Sequence, residues 1–242
     1  MAIFVPWSSR KQAMPFYDSR LDDGCVYCGT TIVDVSTEHV PSKILLDRPY
    51  PIDLPVVKAC SQCNNSYSMD EEYLAVLIEC VRVGSTAPED MKREAIRSSL
   101  KSRPALGAMI RSLMREDLTG RLITSVDSAR IERVLLKLAI GHLKYELGER
   151  YPADQFTVRF MPLLELSNES LEAFENPDAP SLWPEVGSRA MNAAAFGVFG
   201  EAVWWEVQED RYRYHVSYQG LVGVRMVLSE YLAAEVVFEE PT

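Results

Sequence analysis

Two Cys-x-x-Cys pairs, Cys25-Val26-Tyr27-Cys28 and Cys60-Ser61-Gln62-Cys63, constrain this chain more than any other feature. A Cys-x-x-Cys turn presents two sulfurs to one side, and four thiolates suit a tetrahedral, borderline-soft ion such as Zn²⁺. Cys25, Cys28, Cys60 and Cys63 together would close the coordination sphere, so the expected zinc is structural and leaves no open position for water. The pairs are separated by 31 residues, more than a simple ribbon usually needs, and a folded segment is therefore expected between them. The opening MAIFVPWSSRKQ has too short an apolar stretch for a signal peptide, and the expectation is a cytoplasmic protein. In that setting paired cysteines favour metal over disulfides. The fifth cysteine, Cys80, lies in AVLIECV and reads as a small buried hydrophobe.

A chain of 242 residues with 47% hydrophobic and 25% charged side chains can bury a real core, in one large domain or two small ones. No apolar run reaches the length of a membrane span, so no membrane partner is expected. The net charge of -10 argues against a non-specific grip on nucleic acid, which rests on clustered Lys and Arg. The acid is unevenly spread. Residues 1–103 carry 12 basic and 14 acidic side chains, and the remainder 13 and 21. The cysteine-bearing half is thus near neutral and can approach a polyanion. The acidic half would repel one, which suggests a protein partner for it.

Residues 1–24 lack periodicity and read as an arm or loop. The β-branched stretch TTIVDVSTEH (30–39) favours a strand, the proline-rich residues 41–55 a loop, and residues 56–59 a second short strand. SMDEEYLAVLIECVR follows, with Ser68 and Glu71 spaced as a capping box and apolar residues at helical intervals up to Gly84. Residues 88–116 read as two helical pieces broken at Pro104, and residues 127–149 as a helix with Ile131, Val134, Leu135, Leu138 and Tyr145 on one stripe. His142 falls on that stripe and reads as a packed core histidine. The last third, AVWWEVQ, RYRYHVSY, GVRMVL and AEVVFE, reads as an antiparallel meander in which His215 is structural.

Cys25-x-x-Cys28, then Glu38-His39, then Cys60-x-x-Cys63-Asn64-Asn65 resembles the zinc-stabilised HNH endonucleases. The resemblance covers residues 24–83, about a quarter of the chain. TEHVPSK and the later CNN…S-x-D-E-E-Y are also similar to one widespread bacterial and phage branch of such proteins. It implies an N-terminal ββα-metal module with a structural four-cysteine zinc; with the helical middle and C-terminal antiparallel sheet read from the patterning, the expected fold is α+β. The expected division is an arm at 1–20, the zinc and catalytic module at 21–85, a helical connector at 86–125 and a C-terminal α+β domain at 126–242.

The resemblance also implies roles. His39 would be the general base that activates water, a task matched to an imidazole titrating near pH ~6.5. Glu38, on the opposite face of the strand, and Asn64, with Asn65 as the alternative, would ligate one catalytic Mg²⁺ or Mn²⁺ that polarises the scissile phosphate. The substrate implied is nucleic acid, with DNA the usual target. Such proteins usually place an Asn between the two catalytic stretches to fix the loop that aims the base. Residues 40–59 contain no Asn, and Asp53 stands where it would fall. The usual proline three residues after the His is Ser42 here, with Pro41 one position earlier. Lys43, Arg48 and Lys58, with Arg10, Lys11 and Arg20, are candidates for a phosphate path. The rival reading is a catalytically inactive HNH-like zinc protein that acts as a binding or scaffold module. What separates the two is whether Glu38, His39 and Asn64 converge on a point where a cation and a water fit.

Overall fold

The structure is a computed structural model that describes residues 3–6, 24–31, 34–52, 54–116, 122–177, 203–219 and 221–239. It is a mixed α and β fold. The chain separates into two compact units, one formed by Met1–Ser66 with Leu135–Thr242 and the other by Tyr67–Val134.

In the first unit, β1 (Ile3–Pro6), β7 (Val203–Gln208), β8 (Tyr212–Gln219), β9 (Leu221–Leu228), β10 (Leu232–Phe238) and β6 (Phe156–Pro162) form one six-stranded sheet. Its order is β1-β7-β8-β9-β10-β6, and the five strands from β7 to β6 are antiparallel neighbours. The expected meander therefore forms. AVWWEVQ and GVRMVL favour it because they are rich in β-branched and aromatic residues, and neighbours such as Trp204 and Trp205 are both buried. The N-terminal stretch differs from the arm expected there. Ile3–Pro6 adds a parallel edge strand to β7, a pairing made across nearly 200 residues of sequence that no local pattern announces. Strand β6 and helix α6 (Asn168–Glu175) were likewise not apparent in the sequence.

The same unit holds a second, two-stranded sheet of β2 (Val35–His39) and β3 (Val56–Cys60), followed by the short helix α1 (Ser61–Ser66). The β2–β3 pair is antiparallel, with Glu38 opposite Val57 and His39 opposite Val56. Its long connecting loop is closed at the neck by the Val40 N–H donating to the Pro55 carbonyl, 2.8 Å. The hairpin is packed by the C-terminal half of helix α5 (Ser128–Leu147): Ile140, with Leu136 and Tyr145 beside it, meets Val26, Val40, Val57 and Ala59. Gly141 permits that approach, since a Cβ there would lie 2.8 Å from Cγ2 of the buried Val40. On another face of α5, His142 is fully buried, 2.8 Å from the Tyr212 hydroxyl and stacked 3.7 Å from Tyr214. It is the packed core histidine its position on the stripe implies, and His215 is buried beside Trp204.

The second unit contains α2 (Ser68–Val83), α3 (Glu94–Ser102), α4 (Pro104–Leu113), the small hairpin β4 (Met114–Glu116) and β5 (Leu122–Thr124), and the start of α5. The helical break comes at Pro104, which heads α4, as its missing N–H and fixed φ dictate. Helix α2 ends at Gly84, whose φ of 73° is the left-handed cap that glycine adopts without strain. The capping box does not form: Ser68 is already helical, and Tyr67 precedes it without a side-chain cap bond. Asp70 is instead drawn to Arg130 and Arg133 at 2.7 and 2.6 Å, and the Arg130 guanidinium lies 4.3 Å over the Tyr73 ring. Cys80 is fully buried in α2, and burial pushes its thiol up to about 12.

The Gly141 contact yields a sign test. In a helix interior Gly→Ala is worth about 1 kcal/mol, while overpacking a dense core costs about 1–3 kcal/mol. Gly141→Ala should therefore destabilise the wild type in urea unfolding. In a Val40→Ala background the same change should stabilise, by about 1 kcal/mol. A stabilising Gly141→Ala in the wild type would mean that Val40 does not press on the helix.

Candidate metal centre and the Glu-His strand

The first cysteine pair sits in a tight turn. The Gly29 N–H donates to the Cys25 carbonyl (2.8 Å) and the Cys25 N–H to the Thr30 carbonyl (3.0 Å). Gly24 and Gly29 have φ of 103° and 71°, which side-chain-bearing residues rarely adopt. The Val26 N–H donates to the Lys58 carbonyl at 3.1 Å, pinning this knuckle to β3. β3 itself ends on Cys60, and α1 carries Cys63 one turn later. As a result the four sulfurs of Cys25, Cys28, Cys60 and Cys63 all lie within 4.8 Å of one another. All four are free thiols, with Cys28 Sγ 4.0 Å from Cys60 Sγ. In a Zn–S tetrahedron with bonds of about 2.3 Å, the sulfur–sulfur edge is about 3.8 Å. The cluster is thus within metal-binding distance and can bind zinc structurally.

The protonation balance fits that donor set. Thr30's hydroxyl and backbone lower the Cys28 thiol to about 6, whereas burial, then the neighbouring Cys60 and Cys28, raise that of Cys63. Four adjacent sulfurs cannot all ionise without a cation among them.

Strand β2 divides its side chains between two faces. Thr37 and His39 share the face of Val56 and Lys58, which are exposed, and Ser36 and Glu38 share the face of the buried Val57 and Ala59. His39 is half-buried on the open face, and burial, then the nearby Lys43 charge, holds its imidazole below the ordinary value of 6.5. It is neutral at pH 7 and able to accept a proton. Around it, Lys43 and Lys58 are exposed. Lys43 Nζ and Arg48 Cζ lie 5.6 and 5.7 Å from the centre of the Tyr50 ring.

Glu38 is in a different environment. It is only 6% exposed, and its Oε1 accepts from Lys137 Nζ at 2.7 Å and from the Ser42 hydroxyl at 3.4 Å. Lys137 comes from α5, is 1% exposed, and also donates to Ser42 Oγ at 3.3 Å. Asn64 donates through Nδ2 to Ser36 Oγ at 3.0 Å, and Ser36 in turn donates to the Ala59 carbonyl at 3.1 Å. Asn64 therefore meets the strand on the face that Glu38 occupies, while His39 is on the other. Asn65 is exposed, and Asp53, Arg10, Lys11 and Arg20 lie outside the described residues. Among the described residues, the four cysteines are the one group of three or more His, Cys, Asp or Glu side chains close enough to share an ion.

The Lys137 ammonium already neutralises Glu38 through Oε1, so this carboxylate attracts a divalent cation less than one without such a partner would. A catalytic Mg²⁺ or Mn²⁺ at Oε1 would compete with that ammonium and with the Ser42 hydroxyl.

Lys137 and Ser42 were not singled out in the sequence, although a signal existed. Lys137 interrupts LLKLAIG, with Val134 and Gly141 on its own helical face, and a lysine on such a face needs a buried carboxylate. Comparison with protein-family models, curated proteins and solved structures gave no match.

Cys60→Ser should lower metal content below one zinc per chain and lower the melting temperature, because a structural metal contributes folding energy directly; atomic absorption and calorimetry check this. Lys137→Met should cost about 3–5 kcal/mol in urea unfolding by removing the ammonium from the buried Glu38 carboxylate, and adding Glu38→Gln should recover most of the loss. A single mutant within ~0.5 kcal/mol of wild type would show that the pair does not form.

Proposed function

We propose that this protein is a zinc-braced nucleic-acid-binding module of HNH-like build in which the acid of the Glu-His pair serves structure. The observation that carries the reading is the buried Lys137–Glu38 pair. An ammonium 2.7 Å from Oε1 neutralises the carboxylate that the resemblance would assign to a divalent ion. Zinc on Cys25, Cys28, Cys60 and Cys63 would brace the hairpin to α1 and take no part in chemistry.

The binding face is the open side of β2–β3. His39, Lys43, Arg48 and Lys58 supply positive charge or donors there, and Tyr50 supplies a ring on which a base can stack. With a net charge of -10 over the whole chain, binding should be modest and steeply salt-dependent.

One observation favours the second reading, a metal-dependent endonuclease acting on DNA with His39 as general base. The imidazole is neutral at pH 7 and sits on the open face among cations, as a base beside a phosphate should. In that reading Glu38 would share its carboxylate between Lys137 and a cation held also by Asn64.

Plasmid nicking with Mg²⁺, with Mn²⁺ or with neither separates the two. The binding reading expects no cation-dependent nicking by wild type or His39→Ala, and weaker duplex binding by Lys58→Ala in fluorescence anisotropy. Nicking that requires Mg²⁺ and disappears in His39→Ala would replace the binding module with the endonuclease.

A further inference from the structure

The loop between β2 and β3 carries Lys43, Arg48 and Tyr50, three of the side chains on which the binding reading rests. Local order accounts for its first part. A helical turn at Lys43–Leu45 closes through the Leu45 N–H to the Ser42 carbonyl (2.9 Å) and the Leu46 N–H to the Lys43 carbonyl (3.1 Å), and it buries Leu45 and Leu46. Beyond Leu46 the hold comes from another part of the chain.

The β7–β8 hairpin of the six-stranded sheet grips the loop at Asp47. Gln208, the last residue of β7, accepts from the Asp47 N–H through Oε1 at 2.7 Å. It donates through Nε2 to the Asp47 carbonyl at 3.0 Å and to the Pro49 carbonyl at 3.4 Å. One primary amide thereby satisfies both backbone groups of Asp47, as a neighbouring strand would. Arg211, in the turn after Gln208, donates through Nε to Asp47 Oδ2 at 2.5 Å.

The hairpin is shaped for this grip. Its register shifts between Glu206 and Gln208, a bulge of the kind that re-aims a side chain. Asp210 has φ of 58°, the Arg211 N–H donates to the Gln208 carbonyl at 3.1 Å, and the Ser229 N–H donates to the Arg211 carbonyl at 2.7 Å. Gln208 and Arg211 thus project from a turn that is itself braced by the end of β9. Gln208 makes the larger share of the hold, with three hydrogen bonds to the loop backbone against one partly exposed ion pair, a contact that contributes little.

We propose that Gln208, assisted by Arg211, is the positioning residue for the loop bearing Lys43, Arg48 and Tyr50, so that the C-terminal sheet is a working part of the binding site. The proposal rests on the binding reading for its functional consequence and on the Asp47 geometry for its structural content. The C-terminal region then has a role in cis: it fixes the loop that an Asn within residues 40–59 would otherwise be expected to fix.

The test uses the full-length zinc-loaded chain with Gln208→Met, which keeps the side chain's length and removes its hydrogen bonds. Amide exchange followed by NMR should show the Asp47 N–H exchanging at least tenfold faster than in wild type, with exchange in β2, β3 and α5 unchanged. With a fluorescein-labelled DNA duplex as probe, the slope of log affinity against log salt should fall by up to about 2, as two phosphate contacts are lost. Unchanged exchange at Asp47 in Gln208→Met overturns the clamp. Faster exchange with an unchanged salt slope overturns the positioning role. A wild type that does not bind the duplex sinks the binding reading instead, and the clamp is then decided by the exchange rates alone.

Discussion

The contact between Lys137 of α5 and Glu38 of β2 joins residues 99 positions apart and sets the character of the region around it. A lysine that is 1% exposed and a glutamate that is 6% exposed can coexist in an apolar setting only as partners. Meeting at 2.7 Å requires α5 to lie against the hairpin, which Gly141 allows by leaving room for Val40. Ser42 completes the cluster and ties down the start of the following loop. The pair that organises this packing also neutralises the carboxylate that the resemblance would assign to a catalytic cation. One interaction therefore bears on both the fold and the proposed function.

The first unit is assembled from the two ends of the chain. The knuckle turns and the β2–β3 hairpin contribute too few apolar residues to form a core by themselves. Val26, Val40, Val57 and Ala59 become a core only when Ile140 and Leu136 cover them. A cut after residue 103, which looks natural from the charge distribution, would remove α5, the C-terminal strands and the Gln208 clamp together. The acidic C-terminal half and the near-neutral N-terminal half differ in charge, yet most of both belongs to one compact unit.

Much of the fold was legible because it follows from local chemistry. The meander of β7 to β10 followed from β-branched and aromatic runs, α5 from its apolar stripe, the end of α2 from Gly84 and the break before α4 from Pro104. The buried states of Cys80 and His142 followed from apolar neighbours at helical spacing. The capping box at Ser68 failed because Tyr67 takes the N-cap position in a helical conformation, so that Ser68 already lies inside α2. Strand β1 was missed for a different reason: four residues pair with a strand some 200 positions away, and nothing beside them in sequence records it.

For the candidate site the division is sharper. By itself the sequence determined that each Cys-x-x-Cys pair could present two sulfurs to one ion, because a short turn fixes the distance within a pair; the meeting of the two pairs was decided by the Val26–Lys58 contact. The sequence also determined that Glu38 and His39 point to opposite faces, because adjacent residues of a strand always do. Only the tertiary structure decided what each face meets: an ammonium from α5 at Glu38, exposed cations beside His39, and an amide from the C-terminal sheet at Asp47. The ammonium and the amide come from 99 and 161 residues away. The sign of the charge beside a carboxylate is a property of the packed chain, and no local pattern encodes it.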